Sequence, residues 1–239
     1  MKDSPVSDME EEGVRYVVCA DGTYLQRKTN LYQTSVKVGG VDLLEEGEFI
    51  CRLDFPALSD EMVRQMVGFF SWAYNKYGGE AALILCINPE TKELSWYCPD
   101  QHIEQWESTR EEGKMVTGDE IHFDQELPDL PEDLVQLGDA HSHGNFTAYT
   151  SHTDSTDEEH KDGIHIVVGR VNDEAPDYHA EFAIDGARFS MEKNLYMESE
   201  DVELYGCEAS FPHGWKGCLS VKQVEPPTLS QRGVGQGWY

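Results

Sequence analysis

Residues 137–154 read LGDAHSHGNFTAYTSHTD, and this stretch decides how the rest of the chain is read. It begins as the end of an apolar run, Leu134 to Ala140, and passes straight into His141 and His143. In extended backbone, residues two apart point the same way. Two imidazoles on one face can share a tetrahedral Zn²⁺. A third protein ligand is still needed, and Asp154, eleven residues after His143, is the candidate. It would stand where a helix could begin, because Ser151-x-x-Asp154 is also a helix N-terminal capping pattern. The two roles are compatible, since a capped helix start mounts a carboxylate rigidly. Taken alone, an H-x-H pair also fits two surface histidines.

Outward from this stretch, the pattern alternates between buried strands and one strong helix. Ser59 can cap a helix, with Asp60 and Glu61 favourable in its first turn. Met62, Val63, Met66, Val67, Phe69, Phe70, Ala73, Tyr74 and Tyr77 then recur at helical spacing, and Gly78-Gly79 ends the run. Ala81 to Ile87 is continuously apolar and predicts a buried strand, with Leu94 to Cys98 as its hairpin partner. Ile164 to Val171, Tyr178 to Ile184 and Arg188 to Met191 predict three more strands. Ahead of the helix, Val14 to Ala20, Thr23 to Arg27 and Thr34 to Val38 suggest a small antiparallel unit. Residues 104–133 are acid-rich and predict irregular chain, with at most one short strand near Lys114 to Thr117. Asp154 to Lys161 is helix-compatible.

Composition narrows the function. Against 46 acidic residues stand only 18 Lys and Arg, a net charge of −28. Such a surface repels nucleic-acid phosphates and anionic lipid and favours a basic protein partner. No apolar run is long enough to span a membrane, and the acidic N-terminus lacks the apolar core of an export signal, so a cytoplasmic protein is expected. Six cysteines, none in a C-x-x-C pair, read as reduced and buried thiols. Cys207 and Cys218 could pair or bind metal, but no matching second ligand pair accompanies them.

The string His141-x-His143, seven residues, then Ser151-x-x-Asp154 resembles the JAMM motif of the JAB/MPN metalloprotease family. Phe146 falls where that motif has an aromatic residue. Gly144 departs from it, because the family usually carries proline after the second histidine. The resemblance covers about residues 50 to 190 and is similar to bacterial stand-alone JAB proteins. It implies an α/β (α+β) fold, a cytidine-deaminase-like MPN core with a mixed central sheet flanked by helices. It divides the chain into an acidic tail (1–12, expected to be disordered), an N-terminal β unit (13–47), a catalytic domain (48–191) and a C-terminal extension (192–239).

The same resemblance implies one zinc per chain, held by His141, His143 and Asp154, and a catalytic glutamate at the start of the strand after the first helix. Glu80 matches that place; Glu90 and Glu93 sit near the hairpin turn and fit it less well. Glu80 also reads simply as a solvated residue ahead of a strand. Ser151 would stabilise the tetrahedral intermediate. The implied activity is hydrolysis after the C-terminus of ubiquitin or a ubiquitin-like modifier. In bacteria such proteins accompany activating-like and conjugating-like enzymes, including in anti-phage defence. A non-catalytic MPN-type scaffold, a peptidase acting on sulfur-carrier proteins or small-molecule amides, and a DNA-repair relative with similar histidine spacing are the alternatives; the charge argues against the last. His165 reads as a core residue or a support for the ligands, while His152 and His160 read as exposed.

Overall fold

The computed structural model describes residues 9–39, 50–109, 115–123, 130–149, 161–199, 201–204 and 206–225. The long helix α1 (Asp60–Tyr77) forms for the reasons its sequence suggests. The Ser59 side chain accepts a hydrogen bond from the Met62 N–H, 3.3 Å away, and Asp60 and Glu61 occupy the positive end of the helix dipole. Gly78 closes it at φ +74°, donating its N–H to the Tyr74 carbonyl at 2.7 Å. The buried stripe includes Val63, Met66, Val67, Phe69, Phe70 and Ala73.

That stripe lies on a six-stranded mixed sheet. Its strands are β5 (Ala82–Ile87), β6 (Leu94–Tyr97), β9 (Val135–Ser142), β10 (Gly163–Gly169), β11 (Asp177–Ile184) and β12 (Ala187–Ser190). The order across the sheet is β12-β11-β10-β9-β5-β6. Only β9 and β10 run parallel; the other pairings are antiparallel. Strand alternation sorts the side chains. Leu83, Leu85, Ile87, Ala140, Ile164, Ile166 and Val168 join α1 in the main core. Each buried Leu or Ile of this set contributes about 1.5–3 kcal/mol relative to exposure. The other face carries Ala82, Ile84, Asp139, His141, His165 and Val167, so the chemistry-bearing residues of β9 and β10 share one side of the sheet.

The N-terminal strands β1 (Gly13–Cys19), β2 (Gly22–Lys28) and β3 (Tyr32–Gly39) form the expected antiparallel unit, and β4 (Ile50–Leu53) adds a fourth strand to it. This sheet is tied to the larger one. The Tyr32 and Phe182 rings lie 5.5 Å apart, Val36 joins the main core, and Arg27 pairs with Asp185.

The acid-rich region departs from expectation. Instead of irregular chain, it holds a long hairpin of β7 (Gln101–Thr109) and β8 (Met115–Phe123), joined by β13 (Leu219–Gln223), which runs parallel to β7. Acid content hid the pairing, since Glu104 faces Glu120 across the ladder. On its other side Glu104 is in register with Lys222 of β13, a strand far away in sequence. The segment 154–161, read as helix-compatible, lies outside the described residues apart from Lys161, and so does the 1–8 part of the acidic tail. No helix among the described residues is long and apolar enough to cross a membrane.

All six thiols are free: Cys19, Cys86, Cys98 and Cys207 are buried, and Cys51 and Cys218 half-buried. Desolvation pushes Cys51 up to about 12 and Cys86 up to about 11. In the unfolded chain these thiols ionise near their ordinary value of about 8.5. Folded stability should therefore be level below that pH and fall as the pH rises above it, a trend read by urea titration at a series of pH values. A second outcome concerns Gly138 of β9, which is in register with Ile164 of β10. A Cβ there would overlap the Ile164 carbonyl group of the neighbouring strand. Gly138→Ala should cost about 1–3 kcal/mol in the same titration.

Candidate metal centre

β9 delivers the two histidines as a matched pair. The His141 and His143 Nε2 atoms lie 3.3 Å apart, with the rings tilted by 46°. A tetrahedral ion with Zn–N bonds of about 2.0–2.1 Å needs about 3.3–3.4 Å between two donor nitrogens. The pair therefore fits an ion facing both Nε2 atoms. Without an ion, one neutral imidazole can donate to the other. His143 is buried and His141 half-buried, so the pair is held by protein on one side and reachable from the other. The Tyr149 ring meets His143 edge-on at 4.8 Å.

Backbone bonds on both sides of β9 set this geometry. The Ser142 N–H donates to the Ala81 carbonyl (3.0 Å), and the Ser142 hydroxyl accepts from the Ala81 N–H (3.1 Å). On the other side the His143 N–H donates to the Val168 carbonyl at 2.9 Å. The chain then turns. Phe146 N–H donates to the His143 carbonyl (2.9 Å), Val171 N–H to that of Gly144 (3.0 Å), and Arg170 N–H to that of Phe146 (2.8 Å).

Gly144 has φ +54°, and a Cβ on it would press on the Tyr74 ring at 2.5 Å. Proline holds φ near −65°, so this turn excludes the residue that the JAMM pattern usually carries here. The loop's rigidity comes instead from three backbone bonds and the packing of Tyr74.

Glu80 is half-buried and lies one residue before Ala81, the residue that bonds Ser142. Ala82 pairs with His141 across the ladder. Glu80 thus stands at the entrance to β5, two residues before Ala82. Ser151 and Asp154 lie outside the described residues, as do His152 and His160. Among the described residues no group of three or more His, Cys, Asp or Glu could hold a metal ion. The described part of the centre is the imidazole pair.

His165 stands apart from that pair. It is buried on β10 opposite Asp139, with Nδ1 3.0 Å from Asp139 Oδ2 and Nε2 3.1 Å from the Lys161 carbonyl. Both ring nitrogens thus face acceptors, and the contact fixes Asp139, two residues before His141.

Two supports escaped the sequence reading. Gln101 is fully buried, and its amide accepts from the Ala82 N–H and donates to the Ala82 carbonyl, both at 2.9 Å. It stands in for a missing strand where β6 has ended. Asn172 pairs reciprocally with Asn75 of α1, at 2.9 and 3.1 Å, and reaches Asn145 at 3.5 Å. Neither role leaves a local pattern. The one hint is Ser71, a polar residue on the buried stripe of α1, whose hydroxyl donates to Asn172 Oδ1 at 2.8 Å.

Gly144→Pro should destabilise the turn by at least about 1–3 kcal/mol and weaken zinc retention after dialysis against a mild chelator, measured by elemental analysis. No protein-family model matches the chain, and no curated protein matches its sequence.

Proposed function

We propose that this chain is a zinc-dependent isopeptidase of the JAB/MPN type, hydrolysing the amide bond after the C-terminus of ubiquitin or a ubiquitin-like modifier. The observation that supports this reading is the 3.3 Å approach of the His141 and His143 Nε2 atoms at the open end of β9. The MPN core is part of the same proposal. A helix packed on a mixed sheet, with the histidine strand between β5 and β10, is compatible with it.

In this reading His141, His143 and Asp154 hold one zinc. Bound there, zinc would supply the charge that lowers the pKa of a water toward about 7. Glu80 takes a proton from the attacking water and delivers it to the leaving amine. Ser151 donates a hydrogen bond to the developing oxyanion of the substrate. Phe146 and Tyr149, 72% and 53% exposed, flank the histidines and offer apolar faces to an extended modifier tail. No acyl-enzyme forms, so none of the protonated, desolvated thiols is required. The excess of 46 acids over 18 bases draws basic substrates by long-range attraction, without deciding which modifier is cut.

The test is a set of variants assayed on modifier–lysine conjugates alongside zinc content. Glu80→Gln should keep one zinc per chain and lose cleavage. His141→Ala and His143→Ala should lose both. Ser151→Ala should slow turnover by about 10²–10³ while retaining zinc. Cleavage by Glu80→Gln near the wild-type rate, or a wild-type chain that retains no zinc, would overturn the reading.

A further inference from the structure

A cleft of about 910 Å³ opens beside the histidine loop, between α1, the turn after β10 and residues 202–204 and 206–207. Its volume lies at the upper end of the range for small-ligand sites, roughly 300–1,000 Å³, and exceeds what one side chain fills. The floor is apolar: Val67, Val171 and Cys207 are buried, with half-buried Val202 and Leu204 beside them. The rim is acidic, with Asp173, Glu174 and Glu203 exposed along it. No Lys or Arg lines the cleft among the described residues. Arg64 reaches the Glu203 carbonyl at 3.0 Å from outside it, and Arg170 is paired with Asp177 at 3.3 Å.

An apolar floor under an acidic rim suits one chemistry in particular. Lys and Arg side chains lay their aliphatic stems on apolar surface and keep the cationic head at a polar edge. A divalent ion is a poorer match, because these carboxylates do not converge into a metal-holding group. A wholly apolar ligand would leave the rim uncompensated, and an anion would be repelled by it.

The cleft also adjoins the candidate centre. Its Asn172 bonds Asn75 of α1 and touches Asn145, two residues beyond His143. Val171 on the floor donates its N–H to Gly144. A chain seated in the cleft would therefore pass alongside the histidine loop.

We propose that this cleft binds a Lys- or Arg-bearing polypeptide segment, with the stem over Val67, Val171 and Leu204 and the cation among Asp173, Glu174 and Glu203. Taken with the isopeptidase reading, on which this assignment of the occupant rests, the segment belongs to the protein whose lysine carries the modifier. The modifier itself would approach from the Phe146–Tyr149 side.

The experiment is fluorescence anisotropy at physiological ionic strength. The probe is a fluorescein-labelled peptide carrying one Lys-Arg pair, compared with the same peptide holding norleucine at both places. Asp173→Asn, Glu174→Gln and Glu203→Gln combined should weaken binding of the cationic peptide at least fivefold. The norleucine peptide should bind weakly to every chain. A control with Glu90→Gln, Glu93→Gln and Glu132→Gln removes the same charge from the far side and should bind as wild type does. Equal weakening by both triples, or none by the cleft triple, would overturn the proposal, since either outcome reduces the effect to net charge or to nothing. All six positions are exposed, and a thermal melt confirms that each chain is folded. The His141→Ala, His143→Ala chain should bind the peptide unchanged. If no modifier conjugate is cleaved while binding still depends on the cleft triple, the hydrolase reading falls and the cleft stands.

Discussion

Everything in the candidate centre depends on β9 being clamped from both sides. Ser142 is tied to Ala81 of the antiparallel neighbour, and His143 to Val168 of the parallel one. A slip of one residue would turn both imidazoles into the hydrophobic core and bring Ser142 to the other face. Buried Ala140 opposes that slip, because it would have to leave the core with it. The same burial that stabilises the sheet thus fixes the 3.3 Å spacing of two nitrogens. A metal would meet a pair of donors already in place, with little ordering left to be done.

Much of this architecture was legible in the residues. α1 was readable at both ends, because Ser59 and Gly78 have capping chemistry that acts locally. Of the strands flanking the centre, β5 was readable from the unbroken apolar run Ala81 to Ile87, and β10 from the largely apolar stretch Ile164 to Val171. The β7–β8 hairpin was not. Its edge is joined by β13, far away in sequence, and that relation is not visible within a window of ten residues. The acids made it read as solvated chain. The approach of the two imidazoles was legible, since alternation of an extended strand is a local property. The supports were not, because Gln101 and Asn172 act on residues distant in sequence. The glycine after His143 stood out as a departure from the motif's usual proline. In the fold it is a turn residue in a left-handed conformation, held by three backbone bonds.

The distribution of charge acquires a more specific meaning in the structure. A net of −28 by itself describes solubility and attraction at long range. Three of those carboxylates stand around a cleft with an apolar floor, and there the attraction becomes selective. Cation and stem must both be present to use such a place, which separates Lys and Arg from small inorganic cations and from apolar side chains.

Gln101 carries a consequence of its own. Its backbone N–H is bonded to the Cys218 carbonyl at 2.8 Å and its residue is aligned with Leu219, while its amide grips Ala82, which faces His141. One glutamine thus links the tail-end strand to the histidine ladder. Loss of β13 from β7 would free the Gln101 N–H from Cys218 while leaving its amide on Ala82, so the edge of β7 and the histidine strand share one residue as a common anchor.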